Sequence, residues 1–147
     1  MFKINYRFTG NYPEHIADID EMTVRYDLFL GSLSLETETN TLSMAWDWIP
    51  LLDFALCLHD ICNQLNKQTT GEETFEFTES DATLTFHRYT DQCTLSASFS
   101  DVSLSMNYAE FQHEVQLFCK KVINDILHTH QHLKDNSVFR KVIKPVC

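Results

Sequence analysis

The spacing of apolar residues changes period along this chain, and the order of those changes constrains the fold more than any single motif. Phe2, Ile4, Tyr6 and Phe8 alternate with Lys3, Asn5 and Arg7. That period of two sets one face of a strand against a core and the other in water. Asn11–Pro13 breaks the run. Alternation resumes at Met22, Val24, Tyr26, Leu28 and Leu30, shifts phase at Gly31, and continues through Leu33 and Leu35. This predicts a strand over Met22–Leu30 and a bulge or tight turn at Gly31. A shorter strand is expected over Leu42–Trp46.

The period then lengthens. Leu51, Phe54, Ala55, Leu58, Ile61, Cys62 and Leu65 recur at helical spacing, and Leu52 and Leu56 widen the stripe. A helix buried over most of its circumference is therefore expected at about Pro50–Leu65. Pro50 suits a first turn, where amides have no helical partner. Trp46 and Trp48 flank Asp47 at the entry, as a hydrophobic staple or as rings for stacking a ligand. Period two returns in Phe75–Phe77, Leu84–Phe86, Cys93–Phe99 and Val102–Met106, with short turn-forming separators that favour an antiparallel meander. Phe111, Val115, Phe118, Cys119, Val122, Ile123 and Ile126 restore helical spacing, with Asn107 as cap and Glu110 completing a capping box. That helix is expected at about Tyr108–His132. Val138–Cys147 is a basic-apolar tail without a periodic signature, read as loosely ordered.

Strands, helix, strands and a long helix define a single α+β domain. An antiparallel β-sheet of about six to eight strands would be packed by a central helix and a long C-terminal helix. The β-α-β alternation of doubly wound nucleotide-binding folds is missing.

The 147 residues carry 21 acidic and 11 basic side chains, a formal net charge of -10. That balance argues against nucleic acid as a partner and against an anionic membrane surface. The acid is concentrated. Residues 14–40 hold seven acids (Glu14, Asp18, Asp20, Glu21, Asp27, Glu36, Glu38) against Arg25 alone. Residues 72–101 hold seven more (Glu72, Glu73, Glu76, Glu79, Asp81, Asp91, Asp101) against Arg88. Such stretches are either solvated edges or a docking face for a basic partner. If they dock, Glu76, Glu79 and Asp81 are the first candidates, followed by Asp18, Asp20 and Glu21, because turns and edges are the most exposed segments.

Five cysteines (Cys57, Cys62, Cys93, Cys119, Cys147), an odd count without CxxC, accompany an N-terminus lacking the apolar core of an export signal. Free thiols in a cytoplasmic protein are the expectation. The most apolar stretch, Ile49–Leu58, is interrupted by Asp53 and too short to cross a bilayer. His128 and His132 have the one-turn spacing that chelates a metal on a helix. No acid or cysteine completes a tetrahedral set and HExxH is absent, so neither a metal nor a cofactor is assigned. GxSxG and SxxK are absent as well. Carboxylates around a hairpin, such as Glu76, Glu79 and Asp81, read as solvated turn residues rather than a catalytic pair. The chain is not expected to be an enzyme.

Three stretches carry a resemblance: WDWIPLLDFA (Trp46–Ala55), FEFTESDATLTF (Phe75–Phe86) and the long closing helix after SMNYAEF (Ser105–Phe111). Together they resemble small bacterial immunity proteins that protect a cell from polymorphic or contact-dependent growth-inhibition toxins. The resemblance implies a cytosolic inhibitor that binds one cognate toxin domain, often a nuclease, and blocks its active site. The physics is compatible. A nuclease cleft is lined with Lys, Arg and His to attract phosphate, and an acidic protein can compete for it. Two other classes stay open: a binding protein for a small apolar ligand, given 12% aromatic residues, and a small hydrolase.

Overall fold

The computed structural model describes residues 1–10 and 19–146. Among these, the chain is α+β as the periods imply, but its strands divide between two antiparallel sheets. β1 (Lys3–Phe8), β2 (Leu30–Glu36) and β3 (Thr41–Pro50) form one sheet in that order. β4 (Thr70–Glu76), β5 (Thr83–Tyr89), β6 (Gln92–Ala97) and β7 (Ser100–Asn107) form the other, a simple meander. α1 (Leu51–Asn66) links the sheets, and α2 (Tyr108–Thr129) follows β7. The edge strands β3 and β7 lie side by side, with Asn40 Nδ2 donating to the Ser103 carbonyl at 3.1 Å.

Both sheets bury one face against the helices. Ile4, Leu33, Leu35 and Met44 come from the first sheet, and Leu84, Phe86, Leu95 and Leu104 from the second. α1 is buried along most of its length, as its widened apolar stripe demands. Phe54 ties three layers together, meeting Phe75 of β4 at 5.0 Å and Phe118 of α2 at 5.9 Å between ring centroids. The Cys119 thiol donates to the Ala55 carbonyl at 3.1 Å where α1 and α2 cross.

The expected strand over Met22–Leu30 does not form. A π-helix over Thr23–Asp27 replaces it, and β2 begins only at Leu30. Asp20 Oδ1 accepts from the Thr23 amide at 2.8 Å and starts the helical turn. The buried residues here are Val24, Leu28 and Phe29, while Met22 is 69% exposed. The apolar residues of this stretch therefore do not share one strand face.

The phase shift at Gly31 is a bulge. Gly31 pairs with Ile49 and Leu33 with Met44, so Ala45–Trp48 bulge out opposite Ser32. A Cβ at Gly31 would lie 2.1 Å from the Arg7 carbonyl oxygen, so β1 and β2 approach this closely only over glycine.

At the other end, Asn107 caps α2 by accepting from Ala109 N at 2.9 Å. Glu110 turns to the amine of Met1 at 3.2 Å instead of closing the box. α2 stops at Thr129, short of the expected His132, with His130 as its C-cap. Short helical turns at Gln131–Asp135 and Lys144–Val146 bracket α3 (Ser137–Ile143). The segment read as a loose tail thus folds back through Val146, with Phe139 fully buried against Phe29 at 6.3 Å.

Candidate functional site

Three backbone irregularities meet in one region. The π-helix is the first, a conformation that concentrates at functional sites. Phe29 has φ 58 and Asp47 φ 66, left-handed values that cost non-glycine residues energy and must be held by their surroundings. Asp47 is held through its amide, its carboxylate and its carbonyl. Its amide donates to Ser32 Oγ at 3.0 Å, and Ser32 Oγ donates to its carboxylate at 2.8 Å. Its carbonyl accepts from Thr9 Oγ1 at 2.8 Å. The kink stacks Trp46 and Trp48 at 5.2 Å with 11° between their planes. Phe99 and Phe77 stand edge-on to Trp46 at 4.7 and 5.3 Å.

An open groove of about 610 Å³ lies beside this stack, lined by Tyr26, Asp27, Leu30, Trp48, Glu79 and Ser80. Beyond Tyr26 it continues as a second concavity of about 390 Å³ between α1 and β4, where Asp60 and Glu76 stand at the rim. Aromatic floor and carboxylate rim together suit a cationic group, which gains from both the ring faces and the charges.

The basic residues of the acid-rich stretches are engaged away from the rim carboxylates, although Arg25 itself lines the second concavity. Arg25 turns to the buried Asp53, with Nη2 at 2.7 Å and Nε at 2.8 Å from Oδ1. Arg88 donates to the Leu65 carbonyl at 2.9 Å and lies 3.8 Å above the Tyr108 ring. Asp27, Asp60, Glu76 and Glu79 make no ion pair among the described residues. Burial pushes the Asp53 carboxyl above its ordinary value, and the Arg25 guanidinium only partly offsets this. Burial likewise raises the Cys57 thiol to about 11, so it is protonated at neutral pH and a poor nucleophile.

The residues expected to dock a partner separate into groups. Glu76 and Glu79 line the concavities. Asp81 is exposed in the turn before β5. Asp20 is exposed too, but its carboxylate caps the π-helix, and the Thr23 amide holds it below its ordinary value. Glu21 is exposed one residue on, and Asp18 lies outside the described residues. Tyr26, Asp27 and Asp60 were not anticipated. Asp20 and Thr23, spaced as a helix cap and its third residue, are the local signal that could have placed Asp27 on a helix rather than a strand.

The histidine cluster loses its geometry. With α2 ending at Thr129, His128 and His132 no longer share a helical face, and His130 packs between Phe29 and His132 at 5.8 and 6.0 Å. Among the described residues, no group of three His, Cys, Asp or Glu side chains is placed to hold a metal. A cavity of about 160 Å³ beside Phe8, Phe29 and Ile126 is below the ~300–1,000 Å³ of most ligand sites.

No helix of the described residues is long and apolar enough to cross a membrane. Comparison with protein-family models, curated proteins and solved structures finds no significant match to this chain.

Proposed function

We propose that this chain is a non-enzymatic, cytoplasmic immunity protein. It binds a cognate toxin domain, a basic one such as a nuclease, and covers the toxin's active site with its acidic, aromatic-floored groove. One observation carries the reading. Asp27 and Glu79 stand beside Tyr26 and Trp48 with no ion pair among the described residues, while Arg25, which lines the second concavity, is committed to Asp53, and Arg88 to backbone carbonyls and the Tyr108 ring. Carboxylates left unpaired around rigid rings favour a partner's Lys or Arg, steer its approach and fix its orientation. Exposed carboxylates with no partner add self-repulsion to a chain already at -10. A basic partner relieves that repulsion on binding.

The test is capture of the partner from the native cell, followed by an assay of whether the captured protein's activity is inhibited. Replacing Asp27, Glu76 and Glu79 together with Lys should weaken the complex by a few kcal/mol and abolish inhibition. Reversal of Asp81, Asp20 and Glu21, which stand off the groove, should mainly slow association and alter its salt dependence. A triple variant of the groove that still binds and inhibits like the parent chain would eliminate the electrostatic mechanism.

A further inference from the structure

The open edge of β4 runs along the same trough. Three of the sheet edges are already met by other groups. In β1 the outward Ile4 amide donates to Glu114 Oε1 of α2 at 3.2 Å. β3 and β7 face each other, with Asn40 on the outward carbonyl of Ser103. β4 pairs with β5 and with no other strand among the described residues.

The phase of the β4 edge follows from its end bonds. Phe77 N donates to the Ala82 carbonyl at 3.1 Å, and Thr90 N donates to the Thr69 carbonyl at 2.7 Å. In an antiparallel ladder these bonds put the odd-numbered residues of β4 in the hydrogen-bonded pairs with β5. Thr70, Glu72, Thr74 and Glu76 therefore aim their amides and carbonyls away from the sheet, and all four are exposed. The approach of Thr74 Oγ1 to Thr85 Oγ1 at 3.5 Å fits a non-hydrogen-bonded pair. β4 runs in unbroken register with β5 and contains neither Pro nor Lys, two of the devices that close natural edges.

We infer that the β4 edge accepts an extended segment of the partner as an added strand, one with Lys or Arg at alternate positions. Side chains on its outer face would meet Glu72 and Glu76. Those on its inner face would enter the trough between β4 and α1, beside Ile61, Asp60 and Glu73, where Arg25 is paired with Asp53 and Lys67 donates to Gln64. Main-chain bonds to the outward groups supply affinity, and the alternating charges select the sequence. A second copy of this chain is the wrong occupant. β4 reads Thr-Gly-Glu-Glu-Thr-Phe-Glu, without a basic residue, so two such edges would set Glu against Glu. The inference rests on the reading of a basic protein partner and adds the manner of its binding.

The probe is a short peptide with Lys at every second position and Thr or Val between, added to the isotopically labelled full chain. Binding should protect the amides of Glu72, Thr74 and Glu76 from hydrogen exchange. N-methylation of the peptide on its pairing edge, which leaves the charges in place, should lower affinity about tenfold or more. Thr74→Pro removes an outward amide without touching the β5 ladder and should lower affinity similarly. The pair Glu72→Lys and Glu76→Lys should reject the Lys peptide and admit its Glu counterpart. If the N-methylated peptide binds as well as the parent while the charge variants weaken it, strand addition is wrong and the acidic-face reading stands. If no Lys peptide binds in any form, both fail. Self-association that protects the same amides would overturn the choice of occupant.

Discussion

Replacing Arg25 with Met tests the support beneath the groove, because it removes a charge while keeping most of the side chain's bulk. Asp53 is 4% exposed, and its Oδ1 takes two bonds from the guanidinium at 2.7 and 2.8 Å. Without Arg25, the one side-chain donor near that oxygen among the described residues is the Cys57 thiol at 3.8 Å, a weak and distant one. Stranding one partner of a buried pair costs about 3–5 kcal/mol, far more than an exposed pair is worth. Arg25 and Tyr26 are neighbours on the π-helix, so loss of the pair should also loosen the wall of the groove.

The pH dependence has a definite sign. Burial already holds the Asp53 carboxyl above its ordinary value, and removing Arg25 takes away the opposing influence. A carboxyl raised in the folded state keeps a proton that the unfolded chain gives up. Stability therefore falls as pH rises from the ordinary carboxylate range through the folded value, and returns below it. The deficit of Arg25→Met relative to the parent chain should be largest near neutral pH and shrink toward about pH 5. Urea unfolding of the parent, Arg25→Met, Asp53→Asn and the double variant, at both pH values, measures this as a double-mutant cycle. The double variant should recover much of the loss. A deficit below about 1 kcal/mol, or one unchanged on acidification, would refute the claim that Asp53 is a buried charge dependent on Arg25.

Two further outcomes follow from packing. Cys62, Cys93 and Cys119 are raised to about 12 and Cys57 to about 11, each chiefly by burial. Iodoacetamide at neutral pH should label none of these four in the native protein, and all five cysteines after denaturation; fast native labelling of any of the four would contradict their burial. Gly31→Ala should lower stability by about 1–3 kcal/mol, read as a drop of several degrees in Tm, because the new methyl group collides with the Arg7 carbonyl; an unchanged Tm would mean that β1 stands farther off.

Elements whose apolar pattern is set by a single buried face were legible in the sequence. α1 and α2 begin within a residue of their expected starts, and β5 and β7 enclose their expected cores, while β6 ends at Ala97 and leaves Phe99 in the turn. Their signals are local, repeated and unopposed. The division into two sheets was not legible, since it depends on which strands pair, and a period of two says nothing about partners. The fate of the C-terminal segment was hidden for a related reason. Phe139 and Val142 bury against residues far away in sequence, so seven residues form a helix that their own pattern does not announce.

The site was legible as composition and illegible as geometry. Glu76 and Glu79 stand out because acids at a strand end or in its turn are exposed wherever a hairpin is placed. Asp27 and Tyr26 do not, because alternation over Met22–Leu30 reads equally well as a strand, and what decides is tertiary. Val24 and Leu28 must both enter the core, and Asp20 must cap the turn that allows it. The Trp46-Asp47-Trp48 kink is similar, since its anchors Thr9 and Ser32 come from other segments of the chain. Local rules thus fail where the π-helix, the left-handed Phe29 and the bulge of β3 meet, and this is where the groove lies. A chain under selection for stability alone would relax such strain, and one that keeps it needs the shape that the strain produces. On the proposed reading, the coincidence of these segments with an acidic groove would give that shape a use: a pre-formed surface loses little entropy when a partner docks.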